Sequence, residues 1–120
     1  MKKDNVIEEK SFEFAVRTVN LCRYLTKEKK ERVISNQLLR SGTSIGANIS
    51  ESQMAQSDAD FISKLYIAMK EANESCYWLK LLYRTEYLSE KEFKSLDKDV
   101  REIIALLISI TKKLKKKNDV

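Results

Sequence analysis

The residues with the clearest capacity for chemistry lie between positions 40 and 52, where the chain reads RSGTSIGANISES. Two glycines stand here among hydroxyl, amide and charged side chains. The stretch could therefore form a phosphate-binding loop or a helix with a face of small residues. A P-loop needs the pattern G-x-x-x-x-G-K-[ST] after a buried strand. Gly42 and Gly46 are only four positions apart and no lysine follows the second, so the sequence does not predict a phosphate-binding loop.

On a helix, Gly42, Gly46 and Ser50 share one face, because residues four apart are neighbours on the helix surface. Small side chains at this spacing allow the backbone of a neighbouring helix to come close. The stretch therefore predicts a tightly packed helix in which tertiary contacts offset the low helix propensity of glycine.

A polar stripe runs beside this small-residue face at spacings of three and four residues. It is either a buried, hydrogen-bonded network that fixes the register between helices or a surface that faces a ligand. The network interpretation is favoured because no catalytic group accompanies the stripe. The residues of the stripe are Gln37, Arg40, Ser44, Asn48 and Glu51.

Arg40 and Glu51 are three helical turns apart, so each needs a partner on another helix or another chain. Glu71 and Glu74 of the next predicted helix are the candidate partners of Arg40, and we include them in the predicted polar network. The sequence does not decide whether this network lies within one chain or between two.

Catalytic and metal chemistry find little support in the sequence. The chain contains no histidine, which removes the most common general base and the most common metal ligand. The E-x-x-H signature of di-iron bundles is therefore missing, and two distant cysteines do not complete a zinc site. We predict a non-enzymatic protein without catalytic residues, metal site, cofactor or small-molecule substrate.

The cellular location follows from what the chain lacks. No apolar run is long enough to span a bilayer, and the N-terminal MKKDNVIEEK has no apolar segment of the kind found in signal peptides. Cys22 and Cys76 occupy core-like helical positions, which is typical of reduced thiols. We expect a cytoplasmic protein with no membrane partner.

The elements that must position these residues are helices. There are no prolines and only two glycines, whereas β folds need frequent turn residues. Apolar residues recur at spacings of three and four in four segments. These predict an all-α, antiparallel up-and-down four-helix bundle in one domain over residues 1–120. The predicted helices cover residues 8–29, 31–53, 57–86 and 89–116.

Residue types also suggest helix ends and faces. Ser11 is a candidate N-cap of the first helix, and Ser57 or Asp58 of the third. Ser89 and Glu92 fit a capping box at the start of the fourth helix. The predicted apolar face of the first helix consists of Phe12, Ala15, Val19 and Cys22, with Val16 beside it.

The third helix carries a second apolar-rich stripe opposite its core face, formed by Ile67, Trp78 and Leu81 together with Glu74. An apolar surface of this kind on a helix indicates burial against another subunit. We therefore predict that Ile67, Trp78 and Leu81 form a subunit interface of a homo-oligomer.

Positive charge is concentrated in two runs, TKEKKER at 26–32 and TKKLKKK at 111–117, and the chain has a formal net charge of +5. Such runs either bind the phosphates of a nucleic acid or serve as solvated, solubilising helix ends. Aromatic residues are not interleaved with the lysines, so base stacking is not predicted. The candidate nucleic-acid contacts are Lys27, Lys29, Lys30, Arg32, Lys112, Lys113, Lys115, Lys116 and Lys117.

Two stretches of the middle helices, QLLRSGTSIGANISES at 37–52 and DFISKLYIAMKEANESCYWLKLL at 60–82, carry a family resemblance. They resemble the four-helix-bundle proteins of the 23S ribosomal RNA intervening-sequence family. The resemblance implies a ring-like homopentamer and a gene associated with insertions in ribosomal RNA genes. Related accessory proteins of diversity-generating retroelements look like basic rings that bind nucleic acid and a reverse transcriptase.

Two function hypotheses follow from these observations. The first is a non-enzymatic, oligomeric bundle that binds RNA or DNA through phosphate contacts, which oligomerisation would strengthen because each chain adds its charge of +5. The alternative is a protein-interaction scaffold that binds no nucleic acid and uses the apolar face around Trp78.

Overall fold

The computed structural model describes the backbone of residues 2–118 and the side chains of residues 6–117. Within this range α1 begins at Lys2 instead of near residue 8, and every other helix end lies within two residues of its predicted position. None of the helices described has a stretch that is long and apolar enough to cross a membrane. The helices are α1 Lys2–Glu28, α2 Val33–Ser52, α3 Asp58–Arg84 and α4 Glu90–Asn118.

Side-chain pairs show that neighbouring helices run in opposite directions. Arg40 of α2 pairs with Glu71 of α3, whereas Glu51, further along α2, pairs with Lys64, which lies earlier in α3. Helices adjacent in the chain pack side by side, and α1 closes the bundle against α4. The bundle measures 52 × 23 × 21 Å. The predicted all-α four-helix bundle is thus confirmed.

The core runs along the bundle axis and receives apolar side chains from all four helices. Its members recur at the three- and four-residue spacings that place them on one face of each helix. Among the described residues, no buried side-chain nitrogen or oxygen lacks a hydrogen-bond partner. The largest fully buried side chains are Phe14, Ile7, Leu25, Leu38, Ile45, Ile49, Leu65, Leu79, Leu82, Ile103, Leu107 and Val100.

The predicted apolar face of α1 was correct at Cys22, which is buried, but wrong at Phe12 and Val16, because this helix has two apolar stripes. Phe12 is 66% exposed and Val16 is 40% exposed, whereas Phe14 is 1% exposed. The buried stripe contains the small polar residues Ser11 and Thr18 between its apolar members. Apolar periodicity alone gave more weight to the stripe without hydroxyls, although the hydroxyl-bearing stripe is the one that faces α2.

Ser11 lies inside α1 and is not its N-cap. Its hydroxyl donates to the Glu8 carbonyl at 3.1 Å, one turn earlier, and Thr18 donates in the same way to Phe14 at 2.8 Å. These bonds to their own helix allow both hydroxyls to be buried without a partner on another helix.

Gly42 and Gly46 contact α1 at these two hydroxyl residues. A Cβ atom at Gly42 would lie 2.7 Å from Thr18 Cγ2 and 2.8 Å from its Oγ1. A Cβ atom at Gly46 would lie 3.3 Å from the Ser11 carbonyl oxygen. The glycines therefore permit a close approach of α2 to α1, which is the steric role that their spacing predicts.

The helix starts of α3 and α4 are capped by serine. Ser57 Oγ accepts from the Asp60 backbone N–H at 3.1 Å. Ser89 and Glu92 form the reciprocal capping box, because Ser89 Oγ accepts from Glu92 N at 3.1 Å and Glu92 Oε1 accepts from Ser89 N at 3.0 Å. The predicted caps at both positions are confirmed.

The start of α2 is held by a buried carboxylate. Glu31 is 8% exposed, and its oxygens accept from Ile34 N at 3.0 Å, Ser35 N at 2.8 Å and Ser35 Oγ at 2.8 Å. Burial by itself raises the pKa of Glu31, but these hydrogen bonds stabilise the carboxylate more strongly, so the pKa lies below its ordinary value. Glu31 satisfies backbone donors that the first turn of α2 leaves open.

The seam between α1 and α4 is the least extensive of the four helix interfaces. Ion pairs bridge it at the surface: Lys10 lies 3.1 Å from Glu102, and Arg17 pairs with Asp99. Their side chains are about two-fifths exposed, so each contributes little in water.

Gly42→Ala is expected to destabilise the bundle although alanine is the better helix former. Overpacking against Thr18 costs about 1–3 kcal/mol, whereas replacing a mid-helix glycine gains at most about 1 kcal/mol. We expect a lower free energy of unfolding in urea denaturation. In the Thr18→Ala background, where the contact with the Thr18 side chain is absent, Gly42→Ala should lower the free energy of unfolding by less than it does in wild type. Equal effects of Gly42→Ala in both backgrounds would contradict the contact.

Glu31→Gln is expected to lower stability by about 1 kcal/mol at neutral pH. Because hydrogen bonds to the carboxylate lower the folded-state pKa of Glu31, its contribution to stability is present above the unfolded-state pKa and is lost as the pH falls through the lowered folded-state pKa. The stability gap between wild type and variant should therefore narrow in acid. Glu28→Gln, an exposed change beside the same turn, serves as control and should leave the acid profile unchanged.

Candidate nucleic-acid interface

The polar stripe of α2 faces α3 of the same chain. Arg40 Nη1 donates to Glu71 Oε2 at 3.1 Å, and Arg40 Nη2 donates to Glu74. Glu74 also accepts from Trp78 Nε1 at 2.9 Å. The Arg40 side chain is 51% exposed. The network therefore lies at the bundle surface, and the prediction of a buried network was wrong at this residue. The network joins α2 to α3.

The remaining stripe residues mostly bond to their own helix. Ser44 donates to a backbone carbonyl one turn earlier at 2.6 Å, and Asn48 Nδ2 donates to the Ser44 carbonyl at 2.8 Å. Lys64 Nζ lies 3.4 Å from Glu51 Oε1, whereas Gln37 is exposed. The stripe therefore divides into two separate α2–α3 ion-pair sites.

The buried polar contact between α2 and α3 lies elsewhere, at two serines. Ser75 Oγ is 2.9 Å from Ser41 Oγ, and both residues are fully buried. Each hydroxyl also reaches a carbonyl of its own helix, Leu38 for Ser41 and Glu71 for Ser75. This contact was not predicted from the sequence. The signal for Ser75 is its position on the face of α3 that also carries the buried Ala72 and Leu79.

The described side chains offer no group of three or more cysteine, aspartate or glutamate residues that could hold a metal ion. Cys22 is buried, and its Sγ donates to the Ser35 carbonyl at 3.2 Å. Burial and the nearby Glu31 carboxylate raise the pKa of Cys22 to about 12, and burial likewise raises the pKa of Cys76. Both thiols are therefore protonated and weakly nucleophilic at neutral pH.

The two lysine-rich runs lie at opposite ends of the bundle. Residues 27–32, here called the basic turn, comprise the end of α1 and its connection to α2, whereas the lysines of residues 112–117 occupy the last turns of α4. Because the helices alternate in direction, the end of α4 lies beside the start of α3, as the contact between Lys115 and Tyr66 shows. The long dimension of the molecule is 52 Å, so the predicted contacts do not form one continuous surface on a single chain.

The α4 end presents lysines on more than one side of the helix. Lys112, Lys113, Lys116 and Lys117 are exposed, and none of these four forms an ion pair within residues 6–117. Lys115 Nζ lies 5.5 Å from the centre of the Tyr66 ring. Unpaired ammonium groups at this density are suited to phosphate contacts.

The basic turn has a fixed backbone. Lys30 has a φ of 58°, and Glu31 N donates to the Leu25 carbonyl at 3.0 Å. The Glu31 carboxylate is turned inward to cap α2, which leaves Lys29, Lys30 and Arg32 exposed around it. The turn therefore presents more positive charge than its sequence of mixed signs suggests.

Aromatic residues lie beside the basic turn, which the sequence did not reveal. An open cleft of about 460 Å³ separates the end of α1 from the α3–α4 connection, and we call it the tyrosine cleft. Its aromatic members come from distant positions, so interleaving within a lysine run is not the relevant signal. The cleft is lined by Tyr24, Lys29, Tyr83, Glu86, Tyr87, Leu88, Ser89 and Glu92.

The three predicted interface residues differ in solvent exposure. Ile67 is 41% exposed and lines a shallow groove with Ile62 and Tyr66. Trp78 is partly buried against the core of its own chain, and Leu81 is half-buried. Ile67 is therefore the most accessible of the three.

A second apolar surface lies between α1 and α2. The exposed ring of Phe12 borders a cleft of about 530 Å³, whose floor includes Gly46 and Ala47 and whose rim includes Glu8 and Glu9. This surface belongs to the α1 stripe that the sequence had assigned to the core.

Comparisons with known proteins agree with the fold. Residues 3–109 match the family model described as 23S rRNA-intervening sequence protein. The chain belongs to this family. It is also similar to a crystal structure, at 1.70 Å resolution, of a protein with unknown function from the S23 ribosomal protein family of Bacteroides thetaiotaomicron.

That structure shares 62% sequence identity with the chain, and the alignment has a TM-score of 0.91. It covers 92% of this chain and 98% of the other. No curated protein matches the chain significantly. The family is not a known enzyme family, and the solved structure described above is of a protein with unknown function. The comparisons therefore show the family and the four-helix fold but not a biochemical role.

Proposed function

We propose that this protein is a non-enzymatic, self-associating four-helix bundle that binds nucleic acid through phosphate contacts. The observation that carries the proposal is that Lys112, Lys113, Lys116 and Lys117 are exposed on the last turns of α4 and form no ion pair within residues 6–117. The raised thiol pKa values and the absence of histidine support a role without catalysis.

Charge separation along the bundle supports contacts at its ends. Many charges on the sides are matched by partners, as in Arg40 with Glu71 and Arg17 with Asp99. Four exposed lysines that form no ion pair within residues 6–117 are concentrated on the last turns of α4, and further basic residues lie on the basic turn. Exposed lysines on the sides, such as Lys80 and Lys98, stand singly in the sequence. Phosphates are therefore most strongly attracted to the two ends of the bundle.

Self-association strengthens this proposal, and the family resemblance suggests a pentamer. One chain carries a formal charge of +5, which is modest for a nucleic-acid-binding protein. Several copies around one axis bring equivalent lysine clusters together, so that one strand can contact several clusters at once. Exposed Ile67 is the candidate interface residue with the most accessible apolar surface.

The variant Lys112→Ala/Lys116→Ala tests the phosphate contacts. These residues are one turn apart and exposed. We expect weaker binding to DNA and RNA of any sequence, and a salt dependence of log K that is shallower by roughly 1–2 units than in wild type. Fluorescence anisotropy titrations at several salt concentrations measure both effects.

Lys80→Ala/Lys98→Ala is the matched control, because it removes two exposed lysines from the sides of α3 and α4. It should leave the salt slope nearly unchanged. A wild-type protein that binds no nucleic acid even at low salt would refute the proposal, and equal losses in both double variants would refute the assignment to the α4 end.

Ile67→Glu tests self-association. We expect wild type to have several times the mass of one chain in light scattering and the variant to dissociate, because a charge would have to be buried at the interface. A Trp78 variant is less suitable, since its indole also packs against the core and donates to Glu74. Val33→Glu, at a residue 76% exposed on another helix, should remain assembled. A monomeric wild type would contradict self-association.

A protein-interaction scaffold is the second candidate function. The exposed Phe12 ring beside the α1–α2 cleft favours it, because an accessible aromatic group next to small residues suits a docking helix. Capture of a protein that survives nuclease treatment, and is lost with Phe12→Ala, would favour this role over nucleic-acid binding.

A further inference from the structure

The tyrosine cleft combines features that the proposed phosphate contacts do not use. It opens at the end of the bundle that carries the basic turn, and Lys29 belongs to both. Tyr24 from α1, Tyr83 from the last turn of α3 and Tyr87 from the α3–α4 connection contribute to its wall. The fold therefore places phenol rings and an ammonium group around one opening.

Two of the three tyrosine rings of the cleft, Tyr83 and Tyr87, are held in place by packing against the rest of the protein. Tyr83 stacks on Phe93 with ring centres 4.6 Å apart and an angle of 7° between the rings. Tyr87 packs against the core, and its backbone N–H donates to the Leu82 carbonyl at 2.8 Å. Tyr24, in contrast, is 45% exposed. A planar ligand would thus find one accessible ring in a cleft whose other rings are already ordered, which lowers the entropic cost of binding.

The charges of the cleft permit an anionic ligand at one side only. Glu92 is engaged in the capping box with Ser89 and lies in the first turn of α4, where the helix dipole stabilises its charge. Glu86 accepts no side-chain hydrogen bond within residues 6–117. Lys29 lies next to Lys30 and Arg32 on the opposite side. A ligand with an aromatic ring, polar edge groups and a phosphate attached to one side matches this arrangement.

We propose that the tyrosine cleft binds an unpaired base of a single-stranded nucleic acid, which stacks on Tyr24 while the adjoining phosphates contact the basic turn. This inference rests on the proposed nucleic-acid binding and adds a preference for single strands. A base in a double helix is already stacked on its neighbours and is not available to a protein ring. The two ends of the bundle then differ, since the α4 end contacts phosphates of any strand.

The test compares anisotropy titrations of a labelled oligothymidylate and of a duplex of equal length. Wild type is expected to bind the single strand more tightly. Tyr24→Ala should weaken single-strand binding roughly tenfold or more and leave duplex binding unchanged, whereas Lys29→Ala should weaken both. Tyr77→Ala is the control, because Tyr77 is 60% exposed on the side of α3, against Trp78.

A second readout reports contact with the base directly. Irradiation of an oligonucleotide that contains 5-iodouracil should cross-link it to the peptide carrying Tyr24 or Tyr87, and excess unlabelled oligothymidylate should suppress the reaction. Wild type that binds both strands equally, with no effect of Tyr24→Ala, overturns the cleft assignment and leaves phosphate binding intact. Wild type that binds neither strand overturns both proposals. Single-strand binding abolished equally by Tyr77→Ala also overturns the assignment.

Discussion

The close approach of α2 to α1 at Gly42 and Gly46 is the constraint on which the rest of the bundle depends. Because a Cβ at Gly42 would lie within 2.8 Å of two Thr18 atoms, the distance between these helices is set by the absence of side chains. Thr18 and Ser11 can be buried opposite the glycines because each donates to a carbonyl of its own helix. This packing directs Phe14 into the core and leaves Phe12 outside. The helix pair thus fixes which surfaces the protein offers to partners.

Electrostatics divide the molecule along its axis. On the sides, carboxylates of α3 and α4 pair with arginines of α2 and α1. At the basic turn, Glu31 is buried and caps α2, so Glu28 is the carboxylate of residues 27–32 that remains exposed among the basic side chains. The same buried charge contributes to the high pKa of Cys22. A single helix-capping residue therefore shapes both the surface potential at this end and the low reactivity of the neighbouring thiol.

Much of the fold could be predicted from the sequence, because apolar spacing, the capping box at Ser89 and the lack of proline all indicate the same four helices. The buried face of α1 could not be predicted, because Phe12 and Phe14 both belong to plausible apolar stripes. Only the contact with the glycines of α2 decides which stripe is buried. The polar stripe was recognised by spacing, but spacing does not tell how far Arg40 is exposed. The tyrosine cleft was missed because Tyr24 and Tyr87 are distant in the chain and line one cleft only because α1 and α3, which run in the same direction, finish at the same end of the bundle.

The modest seam between α1 and α4 has a consequence for how the bundle opens. The interfaces between chain neighbours, above all α2 with α3, are more extensive than this closing contact, and the ion pairs across it are partly exposed. Local unfolding begins where apolar contacts are fewest, so amide hydrogens of α1 and α4 exchange with solvent before those of the α2–α3 hairpin. Salt screens the Lys10 and Arg17 ion pairs, so local opening of the bundle between α1 and α4 becomes somewhat more favourable as the ionic strength rises.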